Sequence, residues 1–390
     1  MTSTAPAPAP ALLASPQPLA LPGNGVPRLL RCRVLQSPLA GVSDRVFRGL
    51  VRRWAPEALL FTEMVNATGL ELGHGRSRLE DLAGECGPVA VQLFDHHPEA
   101  MAEAARRAEA AGAFLIDINM GCPVPKIARK GGGSGLMRDP DLAARIVEAV
   151  AAAVAIPVSV KTRLGWCGSG DRGFCTIRDA ESLSVAEAGP LADPALVASA
   201  VAWCRRLEQA GAQLLTLHGR SRAQGFKGQA DWLAIAAVKR ARAIPLIANG
   251  DVTSPEAALR CLAISGADGV MVGRGSMGNP WLVGQIDAAL RGLPPPPSPD
   301  AAGRLVLARE QLLALLAARG DHGLLIARKH LGWTCVGFPG APRLRHALMR
   351  AQTPAATLAL LDQAAAALAS DPRGTEPPPP ARPLNPPTAR

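Results

Sequence analysis

The chain has 390 residues, 48% of them hydrophobic, and carries a formal net charge of +10 with a pI near 9.7. That length suits one large domain with an appendage, or two to three domains, and supplies ample apolar mass for a core. The basic surplus suits a polyanionic partner without naming it, and no apolar run approaches the roughly 18 residues that span a bilayer.

The eight cysteines, Cys32, Cys86, Cys122, Cys167, Cys175, Cys204, Cys261 and Cys335, include no Cys-x-x-Cys pair. No histidine stands near a pair at zinc-finger spacing, so no metal is expected. Free thiols in a reducing cytoplasm are the reading. The first 27 residues contain no Lys or Arg, hence no signal-peptide n-region. Residues 1–30 read as a disordered leader rich in Ala and Pro. Eight short apolar runs follow, at 33–39, 58–64, 88–94, 114–120, 157–164, 214–218, 245–249 and 269–273. Helix-like segments alternate with them: 98–111 with Asp95 as a cap, 141–153, 195–210, 231–242 and 255–264. Strand–helix repetition on this scale predicts an α/β fold, a (β/α)8 TIM barrel over 31–292. A doubly wound open sheet is the rival, weakened because no Gly-x-Gly-x-x-Gly follows the first strand. Segment 165–194 is a long irregular insertion, either a binding loop or a solvent loop. Residues 293–300 form a Pro-rich linker. Residues 301–370 read as a small helical domain with eight Arg or Lys against three Asp or Glu. Those cations either grip a polyanion or form a solvated face. Residues 371–390 read as a disordered Pro-rich tail.

Chemistry in such a barrel gathers at the carboxyl ends of the strands. The run 114–120 ends in Asn119-Met120-Gly121-Cys122-Pro123, which puts a thiol just past a buried strand. A cysteine there is a packed small hydrophobe or a reagent. A basic, glycine-rich loop follows, with Lys126, Arg129 and Lys130 before Gly131-Gly132-Gly133-Ser134-Gly135. Strand five contributes Lys161 and Arg163. A buried ammonium is costly without a partner, so Lys161 meets an anion or carbonyl, or else a barrel-floor salt bridge to Glu63 or Asp117. Gln92 and His218 reach the same rim. Asn249-Gly250-Asp251 and Gly273-Arg274 end strands seven and eight, where glycines let backbone N–H groups approach a phosphate and Arg274 adds charge. The set suits a planar, polar cofactor with a phosphate, such as FMN.

With these residues in view the chain resembles the tRNA-dihydrouridine synthases, most of all the bacterial B-type branch. The likeness covers about residues 33–350. It runs through Pro38-Leu39-Ala40-Gly41-Val42-Ser43-Asp44, Phe61-Thr62-Glu63-Met64, Asn119-Met120-Gly121-Cys122-Pro123 and Lys161-Thr162-Arg163-Leu164-Gly165-Trp166. It continues through Leu217-His218-Gly219-Arg220-Ser221-Arg222, Ile247-Ala248-Asn249-Gly250-Asp251 and Met271-Val272-Gly273-Arg274. Each motif alone is weak; all of them in order are specific. The resemblance implies an FMN enzyme that reduces the C5=C6 bond of uridines in tRNA, with NADPH as reductant. It implies that Pro38, Leu39 and Ala40 line the flavin, that Gln92, Lys161 and His218 hydrogen-bond it, and that Asn249, Gly250, Asp251, Gly273 and Arg274 hold its phosphate. It implies Cys122 as the catalytic cysteine, Asn119 and Arg163 at the uracil, and Lys126, Arg129 and Lys130 along the RNA path. A monomeric cytoplasmic enzyme without metal is expected.

Leu39 stands where the family commonly has Met, a volume-conserving exchange. The loop 131–135 is more glycine-rich than the family norm, which predicts extra mobility without RNA. The chain contains no tyrosine, so any base stacking falls to Phe, Trp or His. Two rival functions are a flavin barrel acting on a free pyrimidine, of dihydroorotate type, and a non-enzymatic RNA-binding protein on a decayed barrel. The first has no use for a basic helical domain; the second has no use for the complete rim.

Overall fold

A computed structural model describes residues 17–167 and 193–369 of the chain. The expectations for residues 1–16, for 168–192 of the insertion and for the tail 371–390 therefore concern residues outside those described.

Eight strands close into a parallel barrel. They are β3 (Val34–Gln36), β4 (Leu59–Phe61), β6 (Val89–Phe94), β7 (Leu115–Asn119), β8 (Val158–Arg163), β9 (Leu214–His218), β10 (Leu246–Asn249) and β11 (Gly269–Val272). Each pairs in parallel with the next, and β11 returns to β3 with Met271 opposite Leu35, so the sheet has no open edge there. A two-residue strand, β5 (Val65–Asn66), adds to the end of β6. Helices Pro98–Ala110, Pro140–Ala153, Pro194–Gln209, Trp232–Arg240, Pro255–Ser265 and Leu282–Leu290 connect or cover the strands. Asp139, Asp193, Asp231 and Ser254 cap four of these by accepting a backbone N–H two or three residues on. Asp95 is a correction: His97 occupies the N-cap position of the Pro98 helix. The Asp95 carboxylate instead accepts from Asn66 Nδ2, Thr68 N and His96 N, which ties β5 to the end of β6.

Side chains alternate along every strand. Outward residues such as Ile116, Ile118, Val158, Val160, Leu215 and Leu217 pack against the helices. Inward residues change character with height. The lower layer is apolar: Leu35, Leu59, Ala90, Leu115, Leu214, Ile247 and Met271. Above it lie Gln92, Asp117 and Ser159, which are register neighbours across β6, β7 and β8. Higher still come Asn119 beside Lys161, and Arg163 beside His218 beside Asn249. A packed apolar floor thus carries a polar ceiling.

Residues 17–30 correct the expectation of a disordered leader over 1–30. Strands β1 (Leu19–Leu21) and β2 (Arg28–Leu30) form an antiparallel hairpin. Leu21 and Leu30 are buried in one cluster with the barrel's lower layer and plug its amino-terminal end. Asn24 and Val26 donate backbone N–H groups to Ala155 O, which moors the turn to the end of helix Pro140–Ala153. The turn residues Gly23-Asn24-Gly25 are an ordinary hairpin signal.

After Gly292 the chain runs without helix or strand to Pro299, then folds into helices Ala301–Arg319, His322–Thr334, Ala341–Arg350 and Pro354–Ala369. Leu305, Ala308, Leu312, Leu324, Leu331, Leu348 and Leu361 form their common core. This unit rests on helix Arg45–Arg52 and on Trp281, where Arg304 stacks 5.1 Å from the indole centroid and Arg53 pairs with Glu310 at 2.5 Å. Lys329 reaches the loop that follows β3, with Nζ 2.9 Å from where a Cβ on Gly41 would lie. Gly41 has φ +73, so a bare α-carbon serves both the turn and the contact. Among the described residues no helix is long and apolar enough to cross a membrane.

Candidate active site

A cleft enclosing about 1240 Å³, its open mouth included, lies over the carboxyl ends of the strands. Pro38, Leu39, Ala40, Gln92, Asn119, Cys122, Lys161, Arg163, His218, Asn249, Gly250, Asp251, Gly273 and Arg274 all line it. These residues come from seven strand ends and converge only because the barrel closes.

Cys122 sits just past β7 on a turn held from both sides. Asn119 Oδ1 accepts the N–H of Gly121 at 3.1 Å and of Cys122 at 2.9 Å. The Cys122 carbonyl accepts the N–H of Ser134 at 3.1 Å. The glycine loop is closely packed: a Cβ on Gly133 would lie 3.1 Å from Cys122 Cβ, and one on Gly135 2.4 Å from Ala128 O. Burial pushes the Cys122 thiol up from its ordinary range, against the opposing pull of the Val124 amide, Arg163 and Lys161. A thiol in this setting stays protonated at neutral pH.

Lys161 Nζ donates to Asn249 Oδ1 at 3.0 Å rather than to a carboxylate. Asn249 is oriented in turn by its Nδ2, which donates to Met271 O at 2.9 Å. Burial, reinforced by Arg163, brings the Lys161 ammonium down to about 8, and Asp117 opposes the fall. His218 is buried among Arg163, Lys161, Arg220 and Arg274, which with desolvation hold it well below its usual value and therefore neutral. Arg220 Nη1 lies 3.3 Å from His218 Nε2. Guanidinium cannot accept, so Nε2 accepts and the ring proton resides on Nδ1.

Three expected ligand residues have committed side chains. Arg163 is buried, donating to Gly121 O at 2.8 Å, Ser221 O at 3.2 Å and Gly225 O at 2.9 Å, so it laces the cysteine turn to the loop after β9. Asn119 spends both amide ends inside the protein, its Nδ2 on Gln92 Oε1 at 2.9 Å. Asp251 takes Arg220 Nη2 at 2.8 and 2.7 Å and the Ala230 N–H at 2.7 Å. Its carboxylate therefore neutralises Arg220. Asp251 has φ 57, the left-handed region, a conformation that Asp tolerates better than most residues.

Lys126, Arg129 and Lys130 do not line the cleft. They are exposed on the short helix Pro125–Ala128 and the turn behind it. Lys126 and Lys130 border a neighbouring groove with His96, His97 and Asn66. Reading the sequence missed Ser159 and Phe226, named Asp117 only as an alternative salt-bridge partner of Lys161, and gave Arg220 no role of its own. Phe226 stands at the mouth, 45% exposed, with Arg274 4.8 Å and Arg163 5.5 Å from its ring centroid. Asp117 was legible, since strict alternation from an inward Asn119 points it inward as well.

The family model described as dihydrouridine synthase matches residues 35–182 and 197–370. This chain belongs to the dihydrouridine synthase family. Among its relatives, "Probable tRNA-dihydrouridine synthase 1" of Synechocystis is 49% identical over 86% of this chain and 87% of that one. "tRNA-dihydrouridine synthase B" of Xanthomonas campestris is 39% identical over 86% of this chain and 93% of its own length. The corresponding Pseudomonas aeruginosa protein is 38% identical over 84% of this chain and 90% of its own. Among solved structures, histamine dehydrogenase from Rhizobium sp. 4-9 superposes with a TM-score of 0.50 at 13% identity, covering 76% of this chain and 50% of that one. That likeness concerns the fold alone.

Proposed function

We propose that this dihydrouridine synthase binds FMN in the cleft and reduces the C5=C6 bond of uridines in tRNA, with NADPH restoring the flavin. The observation that carries the reading is one protonated thiol, Cys122, held beside a cleft to which Lys161, His218 and Arg274 bring donors. The donor set fits FMN. Among the described residues Lys161 has a single hydrogen-bond partner, leaving N–H groups for a carbonyl-rich ring edge. Neutral His218 has Nδ1–H to give. Glycine backbone at 250 and 273, with the Arg274 guanidinium, suits the phosphate end. Pro38, Leu39 and Ala40 supply an apolar wall.

Reduced FMN, when bound, supplies the hydride that C6 of the uracil receives. The protein must then deliver a proton to C5, and the neutral Cys122 thiol is the acid available for it. An activated thiolate would suit a nucleophile; the upward push on Cys122 suits an acid. Arg163 stabilises the turn that carries this thiol and leaves a cationic field over the developing charge. Phe226, flanked by two guanidinium groups, offers a face for a base turned out of its stack. Lys126, Arg129, Lys130 and Lys329 are exposed or half-exposed cations suited to RNA phosphates.

The test is reconstitution. Purified protein with FMN, NADPH and an unmodified tRNA transcript should yield dihydrouridine by mass spectrometry. A protein that retains no flavin and leaves the transcript unchanged would refute the assignment. Mapping dihydrouridine in tRNA from a deletion strain identifies the position modified.

A further inference from the structure

One layer below the cleft lies a carboxylate that the proposed reaction does not use. Asp117 is fully buried on β7 between Gln92 and Ser159. Its Oδ2 accepts from Gln92 Nε2 at 2.6 Å, and its Oδ1 from Ser159 Oγ at 2.6 Å. Branched aliphatic residues ordinarily fill barrel interiors, and enclosing a carboxylate costs several kcal/mol before partners offset it. Burial pushes its titration up to about 7, against the pull of Ser159, Gln92 and the Lys161 ammonium.

What this carboxylate does follows from hydrogen-bond polarity. At a pH above that titration the carboxylate is ionised, and an ionised carboxylate only accepts. Gln92 must therefore turn Nε2 towards Asp117, which leaves Oε1 for Asn119 Nδ2 at 2.9 Å. Asn119 must then turn Oδ1 the other way, and there it receives the N–H groups of Gly121 and Cys122. The backbone N–H groups at one end of this chain only donate and the carboxylate at the other only accepts, so the two ends together hold both amides in a single order.

We propose that Asp117 is a positioning residue: it sets the orientation of the Gln92 amide and, through Asn119, of the turn that carries Cys122. This rests on the reading of Cys122 as the acid, but its first test does not. In Asp117→Asn the amide oxygen can still face Gln92 while the NH2 donates to Ser159 Oγ, so the order of the chain survives. Asp117→Leu removes the acceptor. Asp117→Ser, chosen in case the leucine variant does not fold, can donate as readily as accept and leaves the order undefined.

The rate at which iodoacetamide alkylates Cys122 in flavin-free protein, relative to exposed Cys86, can be followed by peptide mass spectrometry. Loss of one orienting hydrogen bond should shift that ratio about fivefold in the leucine or serine variant, with Asp117→Asn restoring it to within about twofold. In the loaded enzyme kcat should fall while KM for tRNA holds. A ratio unchanged in the folded leucine or serine variant overturns the proposal, and so does an asparagine variant as perturbed as they are. Because alkylation needs neither flavin nor tRNA, its outcome stands apart from whether the chain reduces uridine.

Discussion

Lys161 is the residue for which ligand binding and stability point in opposite directions. Burial brings its ammonium to about 8 from an ordinary 10.5, which at 1.36 kcal/mol per unit is roughly 3 kcal/mol held against folding at neutral pH. Partial exposure and solvent screening trim this to about 2 kcal/mol. In Lys161→Met the charge is gone, while Asn249 Oδ1 loses its donor at a cost of about 1 kcal/mol. Flavin-free Lys161→Met should therefore be more stable by about 1 kcal/mol, or roughly 2–4 °C in Tm. The pH dependence is a sharper test. Between about 8 and 10.5 the folded lysine binds fewer protons than the unfolded one, so wild-type stability rises with pH across that window. The variant should lack this rise. Its FMN affinity should fall about 10- to 150-fold, the worth of a charge-assisted hydrogen bond. Calorimetry of flavin-free protein from pH 7 to 10.5 and fluorescence titration with FMN give the three numbers. A Tm lower by several degrees, with the pH-dependent rise intact, would mean that Lys161 is a structural counter-ion to Asp117, and the reasoning would be wrong.

Asp251→Asn should leave buried Arg220 without its carboxylate, lowering stability by about 2–4 kcal/mol in urea unfolding; an unchanged midpoint contradicts the pair's role. Leu21→Ala opens the plug under the barrel and should cost about 2–4 kcal/mol, read in the same assay; a neutral outcome would make the hairpin an ornament. Gly133→Ala places a Cβ 3.1 Å from Cys122 Cβ at a φ of +56. Turnover should drop about tenfold or more with flavin retained, and wild-type turnover would show that the turn has slack.

The barrel was legible because parallel strands buried on both faces read as apolar runs. Each observed strand lies inside or on the bounds of its run, shortened where Pro38 or Met64 already belongs to the rim. The rim residues were legible because strand ends in a closed barrel have one place to go. The hairpin was hidden by its setting: three-residue strands in an Ala- and Pro-rich stretch carry too little alternation to register, and Leu21 gains its meaning from the barrel above it. The Asp251–Arg220 pair was hidden because motif position says nothing of where Arg220 lies. The partners of Arg163 were hidden because Gly121 O, Ser221 O and Gly225 O come together only in the fold, and the reach of Asn119 to Gln92 was hidden for the same reason. Asp95 is a plain case of a capping residue two positions too early, taken instead by the amides of the segment 66–68.

The central claim is that Cys122 is a neutral acid for the uracil and not a nucleophile or a packed filler. The direct measurement is the rate at which pre-reduced flavin in Cys122→Ala is oxidised by unmodified tRNA in a single turnover. The account predicts FMN and tRNA affinities within about threefold of wild type and a flavin oxidation rate at least 100-fold lower, within the usual worth of a positioned acid. A variant that oxidises its flavin on tRNA at the wild-type rate would contradict it.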